Sequence, residues 1–398
     1  MKIELTPEQK QAQAEFRAFV EEEIFPVADQ YDREEYTPAD LIEKIARQGF
    51  LGALIPRESC GSGMDMITFG LLNEEVGRGC SSIRSLLTVH SMVSHALLRW
   101  GNKQQKARWL PELASGRIIG AFGLSEPNVG SDAKSIQTTA RPDGDYYLLN
   151  GLKKWTTYGQ IADLFLIFAQ CDGKVSAFLV HRDMPGFSTQ PIKGMLGTRA
   201  SMLAELHLHD CRVHRENLIG GRGFGLASVA TSALDIGRYS VAWGCVGLAQ
   251  ACLESSLKYT SERRQFDTYL KDHQLIQQMI TAMITNVKAA RLLCCQAGYL
   301  KDTGDPHTIM ETWIAKYFAS TIAARAANDA VQIHGANGCS DDYPVQRYLR
   351  DSKIMEIIEG STQIQEITIA RYGYQEIPRA EASPAPTIHE AAQQGLVW

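Results

Sequence analysis

A block of short apolar runs separated by turn residues interrupts an otherwise helical chain. Between about residues 119 and 224 these runs alternate with turn tripeptides, Pro-Asp-Gly at 142–144 and Cys-Asp-Gly at 171–173. Short apolar runs are typical of strands, and tripeptides of this kind are typical of hairpin turns. The block therefore predicts a compact antiparallel β domain inserted between two helical regions, which makes the fold class α+β.

Helical periodicity fills both flanks of this block. The expected organisation is an N-terminal helical domain at 1–118, a middle β domain at 119–224 and a C-terminal helical bundle at 225–376. The remaining residues, 377–398, are rich in Pro, Ala, Glu and Ser, and we expect a flexible tail there. Within the first domain, Thr37 is expected to cap a helix that has Pro38 at its first position.

Composition limits the classes of function. The chain has 398 residues, 44% of them hydrophobic, which is enough for a large core, and a net charge of -5 gives no bias toward nucleic acid or anionic membrane. Apolar stretches are too short to span a bilayer, and the N-terminus lacks the form of a secretory signal. Nine cysteines without a C-x-x-C pair fit a reducing compartment. We expect a cytoplasmic protein that binds neither nucleic acid nor membrane.

The stretch 357–365 places one carboxylate in an apolar run, at a break between two helices. Glu359 precedes Gly360, and glycine commonly ends a helix in the left-handed conformation. Thr362 and Gln365 have the spacing of a capping box, so a new helix is expected to start there. A glutamate at such a junction loses water and should have a raised pKa, which suits a general base. An ordinary capping carboxylate on a surface turn explains the same local pattern.

Two stretches around the predicted strands carry groups that suit a flat cofactor. Gly130 and Ser131 lie in a turn whose N–H groups and hydroxyl can hold phosphate oxygens or a flavin edge. Trp155 can cover one face of a flat ring system, and Thr157, two residues on, is expected on the same side of a strand. Ordinary turn chemistry and core packing explain each pattern when it is taken alone.

Two further stretches lie in the C-terminal region. Arg263 and Arg264 stand beside Phe266, and adjacent arginines beside an aromatic residue can clamp a pyrophosphate. The stretch 332–338 ends a helix with small residues that permit close approach by a ligand. A metal site is not expected, because His207 and His209 share a strand face without a third ligand at a known spacing.

Together these five stretches resemble the acyl-CoA dehydrogenase family, in whose order and spacing they occur over about residues 5–375. The resemblance implies a C-terminal four-helix bundle, FAD between the middle and C-terminal domains, and a homodimer or homotetramer. It also implies α,β-dehydrogenation of an acyl thioester carried on CoA or an acyl carrier protein. In that reaction Glu359 abstracts the α-proton and flavin N5 takes the β-hydride. The expected electron acceptor is an electron-transfer flavoprotein.

The resemblance also assigns residues by position. Glu359 matches the catalytic glutamate, and Arg238 matches an arginine near the base and the thioester. Ser131, Asp235 and Gly360 are the other residues expected at the substrate. The residues expected to bind FAD are Phe122, Leu124, Ser125, Gly130, Ser131, Trp155, Thr157, Arg263, Phe266, Gln274, Gln332, Gly335, Ser361 and Gln363. Those expected to reach the FAD of a neighbouring subunit are Arg263, Phe266, Gln274, Gln332 and Gly335.

Some alternatives stay open at this point. Some relatives carry the base on the first C-terminal helix, but residues 235–238 contain no glutamate, which favours Glu359. The stretches 80–90 and 197–205 resemble a subgroup that oxidises small acyl groups on acyl carrier proteins in polyketide and peptide pathways. A flavin oxidase or monooxygenase on the same fold is another alternative, and a non-catalytic flavin-binding protein is a third. The acyl chain and its carrier are not determined.

Overall fold

The structure is a computed structural model that describes residues 4–376. The predicted flexible tail at 377–398 lies outside these residues. The described chain follows the predicted order of helices, β-sheet and helices. None of the helices within the described range is long and apolar enough to cross a membrane. Nor does any cluster of His, Cys, Asp and Glu within that range have the arrangement of a metal site.

The N-terminal region is built mainly from α-helices. They are α1 (Pro7–Phe19), α2 (Ala28–Glu34), α3 (Ala39–Arg47), α4 (Met66–Gly79), α5 (Ser81–Trp100) and α6 (Lys103–Ala114). The prediction for the start of α3 was wrong, because Pro38 itself occupies the N-cap position. The Thr37 hydroxyl instead donates 2.8 Å to the carbonyl of Ala200, so it ties the helical region to the β domain.

The middle region forms one twisted sheet. Its strands are β1 (Gly120–Gly123), β2 (Thr139–Asp143), β3 (Tyr146–Thr156), β4 (Leu164–Cys171), β5 (Lys174–His181), β6 (Phe187–Pro191), β7 (Ala204–His214) and β8 (Leu218–Ile219). The strand order is β6-β7-β3-β2-β4-β5-β8, and β1 also pairs with β4. Both predicted hairpins are confirmed, and Asp172 and Gly173 both have positive φ, as a tight two-residue turn requires.

The expectation of a wholly antiparallel sheet needs one correction. Strand β1 pairs with β4 in parallel, with Gly120 opposite Leu164, and β2 also meets β4 in parallel at Thr139 and Gln170. Parallel partners lie far apart in sequence, so hairpin signals do not reveal them. This pairing also brings β1 into contact with β3.

The C-terminal region begins with a π-helical segment at Gly225–Ala230. The elements that follow are α7 (Thr231–Glu262), β9 (Arg264–Gln265), β10 (Thr268–Tyr269), α8 (Gln274–Asp302), α9 (Thr308–His334), α10 (Val345–Met355) and α11 (Thr362–Glu376). Helix α7 is largely buried and packs against α4, α5, α8 and α9. A helix that is apolar on all sides is expected at the centre of a bundle. The site described below lies against α7.

Candidate active site

Glu359 lies in the turn between α10 and α11. Its φ is 55° and that of Gly360 is 98°, so two consecutive residues adopt left-handed conformations. Such a conformation is unfavourable for glutamate and occurs mainly where the surroundings enforce it. Two cations hold the turn: Arg238 Nε donates 2.9 Å to the carbonyl of Glu359, and Lys316 Nζ donates 2.9 Å to the carbonyl of Gly360.

The Glu359 carboxylate faces α7 at Gly237. A methyl group placed on Gly237 would lie 2.7 Å from Oε2, so any larger residue would force this side chain to move. Oε2 is buried and has no hydrogen-bond partner among the residues that the structure describes. Burial raises the pKa of Glu359, against the opposing charges of Arg238, Lys316 and Arg84. A carboxylate with one buried, unpaired oxygen and a raised pKa has the properties of a general base.

The other residues expected at the substrate divide into two groups. Arg238 and Gly360 lie against Glu359, and the Arg238 guanidinium packs 4.1 Å over the ring of Trp313. Asp235 lies one turn earlier on α7, where it forms an ion pair with Lys301. Its Oδ1 is buried without a partner in the described structure, so it can still accept a hydrogen bond from a ligand.

Arg84 is a buried cation that sequence reasoning had not assigned. It lies on α5 with 1% of its surface exposed, and its Nη1 donates 2.6 Å to Thr88 Oγ1. Its Nε is buried without a partner, and none of the ion pairs found within residues 4–376 involves it. A lone arginine within the stretch 80–90, which contains no carboxylate, was the available signal. A buried guanidinium normally requires a carboxylate or another acceptor.

The expected flavin-contacting residues of the middle domain meet at the ends of β1 and β3. Phe122 packs its ring 5.1 Å from that of Phe168, and Leu124 is 8% exposed. The N–H of Lys154 donates 2.9 Å to the carbonyl of Ser125, which joins the loop after β1 to β3. Sequence-distant positions at 122–125 and 153–157 are thus brought together.

Strand alternation does not apply to Trp155 and Thr157, because Thr157 lies outside the strand. Strand β3 ends at Thr156, and Trp155 has a φ of 65° next to an irregularity in the pairing of β3 with β7. The indole is nevertheless 48% exposed, although large aromatic side chains are usually buried. Because the backbone turns at this point, Trp155 leaves the core side of the sheet and presents its ring at the surface.

Groups at the end of β3 and in the loop after β1 suit a ligand. Thr156 Oγ1 is buried without a partner among the described residues, and a methyl group on Gly130 would meet nothing within 4 Å. Ser131 is exposed next to Gly130. An unpaired hydroxyl, an exposed indole and a turn with free backbone groups together fit the ring and phosphates of FAD.

A buried ion pair between Glu126 and Lys153 fixes the start of the 125–131 loop. Glu126 and Lys153 have side chains only 3% and 0% exposed, with Oε1 and Nζ 2.7 Å apart. Glu126 also accepts from the N–H of Gln137 and from the N–H and hydroxyl of Thr138. Burial raises the pKa of Glu126, but these contacts outweigh it and the net direction is downward. Lys153 also donates 3.2 Å to the carbonyl of Leu124.

The remaining FAD-assigned residues lie on the surface of the C-terminal region. Those with exposed side chains or backbone are Arg263, Phe266, Gln274, Gln332 and Gly335. Phe266 is 91% exposed. A cavity of about 600 Å³ next to this surface is lined by Tyr259, Arg263 and His334, among others. Exposed aromatic and basic groups are expected where a second molecule packs.

Ser361 and Gln363 lie at the start of α11, directly after Gly360. Ser361 is half-buried and Gln363 is exposed. The predicted capping box at Thr362 was wrong, because Thr362 is the first helical residue and its hydroxyl donates 3.2 Å to the carbonyl of Glu356. The N–H of Ile364 instead reaches Ser361 Oγ at 3.4 Å, and this contact caps the helix.

Comparisons with known proteins agree over most of the described chain. Residues 6–117, 121–211 and 221–373 match the family profiles "Acyl-CoA dehydrogenase" N-terminal, middle and C-terminal domain. The chain is 37% identical over 374 residues to the mitochondrial short-chain specific acyl-CoA dehydrogenase of Rattus norvegicus. The alignment covers 92% of this chain and 90% of the relative.

Two solved structures are similar as well. A glutaryl-CoA dehydrogenase from Mycobacterium smegmatis, in complex with FADH2, superposes with a TM-score of 0.88 at 30% identity, covering 94% of this chain and 96% of that one. FkbI, described as serving biosynthesis of a methoxymalonyl extender unit of the polyketide Fk520, gives a TM-score of 0.85 at 33% identity over 90% and 99% of the two chains. The chain belongs to the acyl-CoA dehydrogenase family and is an FAD-dependent oxidoreductase acting on CH–CH groups.

Proposed function

We propose that this enzyme converts a short acyl thioester to its α,β-unsaturated form, with Glu359 as the base that takes the α-proton. The observation that carries the proposal is the buried Oε2 of Glu359, which has no partner among the described residues and a raised pKa. A thioester carbonyl makes its α-hydrogens weakly acidic, and a base with a raised pKa is well matched to remove them near neutral pH.

The residues around Glu359 have separate tasks in this reaction. Arg238 and Lys316 fix the carbonyls of Glu359 and Gly360, so the turn directs the carboxylate toward α7. Burial of Oε2 shields this oxygen from water and holds it ready for the α-carbon. Bound FAD supplies the acceptor for the β-hydrogen and its electron pair. We assign Trp155, Thr157 and the 125–131 loop to holding the flavin beside the thioester.

The close fit at Gly237 gives a first prediction. Gly237→Ala is expected to lower the rate of anaerobic flavin bleaching by about 10²-fold, because the new methyl group displaces the carboxylate that lies 2.7 Å away. Stopped-flow absorbance of the oxidised flavin measures this rate. Gly373→Ala on α11, where a methyl group meets nothing within 4 Å, is the matched control and should bleach normally. A normal rate for Gly237→Ala would contradict the placement of Glu359.

Arg84 supports a short substrate with an oxygen-bearing far end. Gly237 near the base and Gly244 near Arg84 lie two turns apart on α7, about 10 Å along the axis. Met92 and Arg84 pack against these two levels of α7 from α5, so the base and the guanidinium lie along one interface between the two helices. A hydroxyl or carboxylate at the far end of a short acyl chain would supply the acceptor that the Arg84 Nε lacks.

A pair of five-carbon thioesters tests this assignment. The enzyme is expected to favour 4-carboxybutanoyl-CoA over pentanoyl-CoA in kcat/KM, and Arg84→Met should reduce that preference at least about tenfold, because a charge-assisted hydrogen bond is lost. A three-carbon thioester that carries a hydroxyl extends the comparison to a shorter acyl chain. Equal use of pentanoyl and 4-carboxybutanoyl thioesters by the unsubstituted enzyme would contradict the role of Arg84.

The second candidate differs in the carrier. The likeness to FkbI favours a small acyl group held on an acyl carrier protein in natural-product assembly. The same acyl groups should therefore be offered on CoA and on a carrier protein, with anaerobic flavin bleaching as the readout. Bleaching by CoA esters alone would exclude the carrier-protein reading. For the dehydrogenase reaction we propose an electron-transfer flavoprotein as acceptor, whereas fast reoxidation of the product-bound flavin by oxygen would indicate an oxidase.

We further propose that a second copy of the chain completes the flavin site. The supporting observation is that Arg263, Phe266 and Gln274 are exposed at the surface of the C-terminal region. Guanidinium groups are suited to phosphates, and an exposed phenyl ring is suited to an apolar partner surface.

A further inference from the structure

Lys316 on α9 is a buried cation without a carboxylate in direct contact. Its side chain has no exposed surface, and its ammonium donates 2.9 Å to the carbonyl of Gly360. The ion pairs formed within residues 4–376 do not include it. A buried ammonium that makes no ion pair is unfavourable, and an apolar residue of the same length would fill the position without this penalty.

Among the nearby carboxylates, Glu359 acts most strongly on the Lys316 ammonium. Glu359 precedes the carbonyl to which Lys316 is bound, and the ammonium acts on the carboxylate through space. The Gly360 carbonyl accepts a second hydrogen bond, 2.9 Å from Gln365 Nε2, so the turn would still be held without a cation. The hydrogen bond alone therefore gives no reason for the charge.

We propose that Lys316 is a positioning residue for the base, which fixes the Glu359–Gly360 turn and stabilises the ionised carboxylate before proton transfer. The inference rests on the proposed function, because it takes Glu359 as the base. Lys316 does not touch the reacting atoms; it acts through the backbone turn and through its charge. On this account the position requires a cation, not merely a hydrogen-bond donor.

The charged groups around Glu359 determine the direction of the expected effect. Arg238 on α7, Lys316 on α9 and Arg84 on α5 all lower the pKa of Glu359, against the larger effect of burial. Cys245 on α7 and Glu356 at the end of α10 also act on Lys316. Burial lowers the pKa of Lys316 to about 8, so the ammonium is still charged at neutral pH. Removing this charge must raise the pKa of Glu359 further.

The test compares three substitutions in the FAD-loaded enzyme. Lys316→Met removes the charge and the donor, Lys316→Gln removes the charge but keeps a donor, and Lys316→Arg keeps the charge. Tyr317→Phe, on the same helix but directed toward Glu366, is the control. Two quantities are measured against pH: the rate of anaerobic flavin bleaching by a thioester, and the infrared C=O band of protonated Glu359. That band is identified by its absence in Glu359→Gln.

The Met and Gln variants are expected to move the acid limb of the rate and the midpoint of the infrared band upward by about one pH unit. On the acid side this is about a tenfold lower rate, recovered at higher pH. The Arg and Phe variants should stay close to the unsubstituted enzyme. Unchanged midpoints in both neutral variants, or loss of folded, FAD-loaded protein in all three Lys316 variants, would overturn the proposal. Absence of bleaching in the unsubstituted enzyme would instead reject the proposed function, and the infrared midpoints would still decide the role of Lys316.

Discussion

Replacing Glu359 by glutamine is expected to leave FAD bound and to lower the rate of anaerobic flavin bleaching by about 10³-fold. Glutamine has the same shape as glutamate and keeps the turn that Arg238 and Lys316 hold, but it cannot accept the α-proton. The measurement is the absorbance of oxidised flavin after rapid mixing with a thioester. In the unsubstituted enzyme the rate should fall as pH decreases, with a midpoint above the ordinary glutamate value, because burial raises the pKa of Glu359.

The same substitution has an expected effect on stability that serves as its control. A carboxyl group whose pKa is raised by folding binds protons more tightly in the native state, so it destabilises the fold at pH values above its unfolded pKa. Glu359→Gln should therefore melt at the same temperature as the unsubstituted enzyme or higher at neutral pH. A lower melting temperature together with loss of FAD would attribute the lost activity to misfolding, and normal bleaching by this variant would reject Glu359 as the base.

Glu126→Ala is expected to have the largest effect on stability, a loss of about 3–5 kcal/mol in the free energy of unfolding. The substitution leaves the Lys153 ammonium buried without its counter-ion, and it removes the acceptor of the N–H groups of Gln137 and Thr138. Because the loop at 125–131 is held by this pair, FAD should also be retained less well. Urea unfolding followed by circular dichroism, together with flavin content after gel filtration, measures both effects.

Glu112→Ala is the matched control for Glu126→Ala. Its carboxylate pairs with Arg117 near the surface, where the two side chains are 37% and 63% exposed, and surface pairs contribute little. The pH dependence also separates the two variants. The net lowering of the pKa of Glu126 means that its stabilising effect is present at neutral pH and is lost in acid, so the difference from the unsubstituted enzyme should shrink as pH falls. Equal, small losses in both variants would contradict the importance of the buried pair.

Local patterns in the sequence were enough for the order of the domains and for the break that holds Glu359. The Asp172–Gly173 hairpin was predictable because both residues tolerate positive φ, which a tight turn needs. The parallel pairing of β1 with β4 was not, since it joins segments more than forty residues apart, such as Gly120 and Leu164. Register between distant strands depends on tertiary packing, which no local signal encodes.

In the candidate site, too, some residues were predictable from the sequence and others were not. Glu359 was predictable because glycine and an apolar run flank it, and the family resemblance then assigned its role. Lys316 and Arg84 were missed, although each is a buried cation with no other charged residue within four positions along the chain. Periodicity indicates that such a residue faces the core, but not that the Lys316 ammonium reaches the carbonyl of Gly360 from another helix. The left-handed backbone at Trp155 also depends on contacts that sequence alternation ignores.

The central claim, that Glu359 removes the α-proton, is tested most directly by hydrogen exchange at the α-carbon. An acyl thioester is incubated with the FAD-loaded enzyme in D₂O, and deuterium at the α-carbon is followed by mass spectrometry. The unsubstituted enzyme is expected to catalyse the exchange, with a rate that falls in acid as Glu359 becomes protonated, and Glu359→Gln is expected to show none above background. Exchange by Glu359→Gln at the rate of the unsubstituted enzyme would contradict the account.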